Sequence, residues 1–195
     1  MIGDLALPIG IFLTITALIL LFELNWRITI IALAIQYLGI FLLVLISWPV
    51  ELAIVKLVAG WMASAVLGLT WANSKTNNQT DLTISSILFR LLAASLVVLV
   101  AISVSPRLAI WVKDITIIQA YSSLTLMILG LRQLGLSSKS IRVIIGLLTI
   151  LGGFDILYAG LVTSVLVAGL LAIVNLGLAL LGAFLITNQS VEKTL

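Results

Sequence analysis

Apolar residues run through this chain in long blocks, broken by short polar clusters. A bilayer core asks for about 20 mostly apolar residues per helix. On that ruler the chain divides into Leu5–Phe22, Ile28–Trp48, Leu52–Ala72, Ile84–Val104, Ile115–Leu131, Ile141–Val162 and Ser164–Thr187. The last two blocks have no polar turn between them. The run from Val143 to Thr187 would be about twice the bilayer thickness as one helix. Two helices with a tight turn near Thr163-Ser164 fit it, and a break at Gly152-Gly153 is the alternative. The expected fold is an all-α polytopic transmembrane bundle of seven spans, with six as the second possibility, in a single domain over residues 1–195.

The polar clusters read as connections. Glu23-Leu24-Asn25-Trp26-Arg27 is a short loop, and Trp48-Pro49-Val50-Glu51 is a turn with Pro49 and Glu51 suited to a helix start. Asn73 to Thr83 reads as an exposed loop. Ser105-Pro106-Arg107 is expected to end the fourth helix, because the residue before proline disfavours helix. Gln133 to Ser140 is a loop carrying Lys139.

Composition agrees with the blocks. The chain is 63% hydrophobic and 9% charged, where a soluble domain has about 25% charged residues. Lipid must therefore coat it. The N-terminus is acidic and leads straight into an apolar run, unlike a cleavable signal peptide. There is no cysteine and no histidine, so disulfides, iron–sulfur ligation and histidine-held haem or zinc are excluded. No metal or cofactor is expected. No basic tail or nucleic-acid motif is present, which leaves the bilayer and other membrane subunits as the expected partners.

Positive charge sets orientation. With seven spans, Arg27, Lys75, Arg132, Lys139, Arg142 and Lys193 collect on one side, while Arg107 and Lys113 (with Lys56, if it reaches that face) collect on the other. The first side is expected to be cytoplasmic, with the N-terminus outside and the C-terminus inside, in a bacterial plasma (inner) membrane. Trp26 and Trp71 then mark one interface and Trp48 and Trp111 the other. Trp61 and Tyr158 are expected deeper, between helices. Asn78-Gln79-Thr80 and Asn188-Gln189-Ser190 match the glycosylation sequon but fall on the cytoplasmic side, so they read as ordinary loop residues.

A charge inside a bilayer costs at least about 2.5–3.5 kcal/mol, so each one requires a reason. Asp155 falls near the middle of the sixth span. Aspartate is too short to snorkel, so it is protonated, paired or facing water. Such a group can relay protons; it can also be a permanent structural bond, or a helix-start carboxylate if Gly152-Gly153 breaks the helix. Lys56 and Arg90 lie near helix ends and are long enough to snorkel. The sharper reading pairs one of them with Asp155. Gln36 and Asn175 fall at the depth of Asp155, and Gln119 and Ser123 share a face of the fifth span. A hydrated route from Arg90 past Asp155 to Lys56 and Gln119 is one use for these residues, and interhelical hydrogen bonding is the other. A ridge of small residues, Gly60-Ser64-Gly68-Ala72, reads as a packing surface, and Gly160-Ser164-Ala168-Ala172 would form another if the helix continued through the expected turn.

The stretch Gly153-Phe154-Asp155-Ile156-Leu157-Tyr158-Ala159 resembles a family of small membrane subunits. Its members are the K-type subunit of respiratory complex I, the C-type subunit of multisubunit cation/proton antiporters and the E component of hydrogenase-4. They carry Gly-x-Glu in a membrane helix, followed by an Asn-Ala step. Asp155 stands in place of the glutamate, Ala159 of the asparagine and Gly160 of the alanine. The last helix has Asn175 and no second acid. The resemblance, confined to the last two helices, implies a proton-relay role for Asp155 among neighbouring antiporter-like subunits. The expected function is thus a non-catalytic membrane subunit, with the resemblance implying a proton- or cation-translocating complex. The alternatives are a membrane scaffold or assembly protein and a stand-alone small-molecule transporter. No catalytic constellation points to an enzyme.

Overall fold

The computed structural model describes residues 2–22, 25–73, 84–112, 115–135 and 140–192. These are all-helical, in seven helices: α1 (Ile2–Phe22), α2 (Trp26–Val44), α3 (Val50–Asn73), α4 (Ile84–Trp111), α5 (Ile117–Gly135), α6 (Ser140–Ala159) and α7 (Val165–Glu192). Five of them, α2, α3, α4, α6 and α7, are long and apolar enough to cross a membrane. Lys75, Lys113, Lys139, Lys193 and the Asn78 sequon lie outside the described residues.

The helices form two layers. α1, α2 and α3 pack side by side in that order, and so do α5, α6 and α7; across the layers α1 meets α5, α2 meets α6 and α3 meets α7. Each facing pair runs parallel. Gly10, early in α1, abuts Ile118 and Ser122, early in α5; Gly152, late in α6, abuts Ile40, late in α2. α4 lies outside this slab, against α5 and the edge of α1. Its outward side carries Leu88, Phe89, Leu92, Leu96 and Leu99, all exposed. Apolar side chains stay turned outward where the surrounding solvent is lipid.

Pro106 does not end α4; it lies inside it. Proline has no N–H for the carbonyl four residues back. Here the Ser105 hydroxyl donates to that carbonyl, Ile102 O, at 3.2 Å. A side chain thus takes over the missing bond and the helix runs on to Trp111.

The break between the last two helices falls at Gly160–Ser164, next to the expected turn, while Gly152 and Gly153 stay helical. The chain leaves α6 through Leu161 N to Tyr158 O at 2.9 Å. Gly160 is required there by space: a Cβ would stand 2.9 Å from Ile115 Cβ. The small-residue ridge from Gly160 to Ala172 is therefore interrupted at its first step. The other ridge is continuous, with Gly60 against Tyr37 and Gly68 against Ile30 of α2. Two expected loops are shorter than read, since α5 includes Gln133 and α7 includes Asn188-Gln189-Ser190.

Candidate functional site

The buried face of α3 repeats every three or four residues through Lys56, Ala59, Gly60, Ala63, Ser64 and Leu67. Lys56 is therefore carried into the slab as part of the packing stripe. α6 presents Ile145, Leu148, Gly152, Asp155, Ile156 and Ala159 in the same way. The two stripes bring Lys56 Nζ to 2.7 Å from Asp155 Oδ1, with both residues 1% exposed. Snorkelling, the ordinary expectation for Lys56, is overturned: its helical register points inward, and a carboxylate is there to meet it.

The depth of the pair also differs from expectation. α6 stops at Ala159, so Asp155 lies one turn, about 6 Å, from a helix end and not at mid-span. It is shielded there by neighbouring side chains. Trp48 closes this end of the slab, packed edge-on to Tyr158 at 6.2 Å, and Tyr158 stacks on Phe154. Tyr158 accordingly sits at the helix end, not deep in the bundle. Trp61 is about half exposed, its Nε1 donating to the Ala34 carbonyl at 3.1 Å, and does not fill the space between helices.

A second polar pair lies next along the seam. Tyr37 Oη donates to Asn175 Oδ1 at 2.7 Å, and the Leu148 carbonyl is 3.4 Å away. The Tyr37 ring packs directly against Gly60, one turn along α3 from Lys56. Tyr37 of α2, Lys56 of α3, Asp155 of α6 and Asn175 of α7 thus form two polar pairs where the layers meet. Asp155 Oδ2 and Asn175 Nδ2 are buried without a hydrogen-bond partner, as is Gln36 Oε1 on α2. Tyr37 was missed in the sequence, although a phenol in an apolar span always has a hydroxyl to satisfy.

The remaining candidates are not gathered here. Arg90 Nη1 donates to the Leu21 carbonyl at the opposite end of the bundle, 3.1 Å away. α4, which bears it, packs on α5 and α1. Gln119 is fully engaged as a cap. Its Oε1 accepts from Thr116 N and Oγ1 at 3.0 and 2.9 Å, while Gln119 N donates back to Thr116 Oγ1 at 3.2 Å. Its Nε2 donates to Leu43 O and Ser47 Oγ, both at 2.9 Å. This is a capping box, legible as Thr116-Ile117-Ile118-Gln119, that also fastens α5 to the end of α2. Gln119→Leu should cost about 1–2 kcal/mol, read as a lower unfolding midpoint in detergent. An unchanged midpoint would remove Gln119 as a structural fastener. Ser123 bonds its own helix at Ala120 O, 3.0 Å.

Fold and site thus define an all-helical bundle with helices suited to a membrane and a buried ion pair between its layers. Comparison with family models, curated proteins and solved structures gives no match to the chain.

Proposed function

We propose that the protein is a non-catalytic integral membrane subunit of a proton- or cation-translocating complex, with Lys56 and Asp155 as its protonatable pair. All seven helices cross the bilayer in this reading, the N-terminus outside and the C-terminus in the cytoplasm of a bacterial cell. Support for that orientation comes from Arg27, Arg90, Arg132 and Arg142, which lie toward one end of the slab, opposite the Lys56–Asp155 end.

The observation that carries the relay is the state of the carboxylate. Oδ1 is held by Lys56, while Oδ2 is buried and unpartnered. A proton arriving at Oδ2 forms an O–H bond there and cancels the carboxylate charge. The hold on Lys56 weakens, and Lys56 can pass one of its own protons onward. After that departure the pair carries no excess proton, and transfer of the carboxyl proton from Asp155 to the neutral amine of Lys56 restores the starting ion pair with one proton passed on. Tyr37 and Asn175 are the neighbouring groups along the seam. The Gly153-x-Asp155 resemblance to the small subunits of complex I and the cation/proton antiporters points the same way.

A second reading is a scaffold whose ion pair only clamps α3 to α6. Its support is the burial of both charges, which makes the pair a neutral unit. A stand-alone transporter is less well supported. Repeat-built transporters relate their halves by a two-fold axis. A two-fold along the membrane normal would set α1 opposite α7, and one in the membrane plane would make α1 and α5 antiparallel. The observed contacts are α1 on α5, parallel.

Asp155→Asn in the intact complex separates the first two readings. Loss of proton translocation in vesicles, with the complex still assembled, is the expected result. Loss of assembly supports the scaffold, and undiminished translocation by an assembled complex defeats the relay.

A further inference from the structure

Each polar pair of the seam leaves one buried atom unused, and the two atoms are chemically complementary. Asp155 Oδ2 accepts and Asn175 Nδ2 donates, and neither has a hydrogen-bond partner. Asp155 is 1% exposed and Asn175 0%. The other atom of each group is committed: Lys56 Nζ holds Asp155 Oδ1 and Tyr37 Oη holds Asn175 Oδ1, both at 2.7 Å.

α6 sets the span between them. Tyr37 Oη lies 3.4 Å from the Leu148 carbonyl oxygen, which puts the Tyr37–Asn175 bond beside Leu148. Leu148 and Asp155 share the inner face of α6, about 10 Å apart along the helix axis. The Leu148 carbonyl points along the helix toward Asp155, and the Asp155 side chain leans back toward Leu148. Each shortens the span by about 2 Å, leaving about 6 Å. That is too long for one hydrogen bond and fits two laid end to end, at about 2.8–3 Å each. α3 gives the same spacing from the other layer, since Lys56 holds Asp155 and Gly60, one turn on, meets the Tyr37 ring.

We infer that a water molecule binds between Asp155 Oδ2 and Asn175 Nδ2, accepting from the amide and donating to the carboxylate. Buried water pairs polar groups that the chain itself leaves unpaired. A metal cation is disfavoured, because Lys56 already neutralises the carboxylate and the amide hydrogens repel positive charge. The water completes a circuit from Lys56 through Asp155 and Asn175 to Tyr37, joining α3, α6, α7 and α2. It also sets an exchangeable proton against the oxygen that Lys56 leaves free. Its use in translocation rests on the relay reading; its binding does not.

The test is the nuclear Overhauser effect between water and the Asn175 side-chain amide, in the full chain labelled with 15N-asparagine and held in lipid nanodiscs. Asn175→Leu identifies the resonance by its disappearance. The wild type should show a water cross-peak on this buried amide. Tyr37→Phe should keep it, which excludes transfer through the phenol proton, and Lys56→Met/Asp155→Leu should lose it with the acceptor. Absence from the wild type, loss in Tyr37→Phe or survival in the double variant overturns the proposal. So does a wild-type cross-peak that fades as sodium replaces choline, which would make the occupant a cation. If the double variant fails to fold, the wild-type, Tyr37→Phe and sodium measurements still decide. None of these readouts involves translocation, so Asp155→Asn in the intact complex tests the relay separately.

Discussion

Lys56→Met should lower the stability of the protein by about 3–5 kcal/mol, and a second change, Asp155→Leu, should restore most of it. The single variant leaves the Asp155 carboxylate buried among Tyr37, Ile156 and the α3 stripe with its partner gone. An orphaned buried charge carries a penalty of that size, whereas replacing both charges by apolar groups of similar volume is often neutral or better. Chemical unfolding in detergent measures both steps. If the double variant is no more stable than the single, the pair is not a coupled unit and the layers are held by packing alone. The double variant also serves the functional question: a stable, assembled protein without either charge should have lost proton translocation, which a clamp alone does not predict.

Gly60→Ala should be nearly as damaging, although it adds a single methyl group. That methyl would fall inside the Tyr37 ring, which is 1% exposed and has no open side to retreat to. Overpacking of a filled core costs about 1–3 kcal/mol. Displacing Tyr37 also breaks its bond to Asn175, leaving buried polar atoms unsatisfied at about 1–3 kcal/mol more. Tyr37→Leu in the same chain should recover part of the loss by emptying the contested space. The contrast is within α7: Gly169 and Gly177 have nothing within 4 Å of an added Cβ. Alanine at either should be neutral or slightly stabilising, since it favours helix over glycine. Equal losses at Gly60 and Gly177 would show that the helix backbone, and not the Tyr37 contact, sets the effect.

Much of the fold was legible because apolar block length is a strong signal in a bilayer, and the seven expected blocks match the seven described helices. The ends were less legible. Pro106 carries a stop signal, but the Ser105 hydroxyl supplies the missing bond, and that is decided by one side-chain rotamer. The position of Asp155 was misjudged because Leu161 and Val162 are as apolar as a helix interior. α6 ends just before Gly160, which packs against Ile115, more than forty positions away in the chain. The site was legible as a short set of polar residues, among them Lys56, Asp155, Asn175 and Gln36, but not as an arrangement. Soluble helices reveal their inner face by being apolar there. α2 is apolar on every side, so nothing local says that Tyr37 looks across the seam. The inward register of Lys56 follows from its place four residues before Gly60 on the small-residue ridge.

α5 and α6 approach so closely that a Cβ on Gly130 would stand 2.8 Å from the Gly146 carbonyl, and one on Gly146 would stand 3.0 Å from the Gly130 carbonyl. Sliding one helix along the other by a single residue would drive side chains into that backbone. The two helices are therefore locked in register, with Arg132 toward one tip and Asp155 toward the other, so that a displacement of either has to carry its neighbour with it.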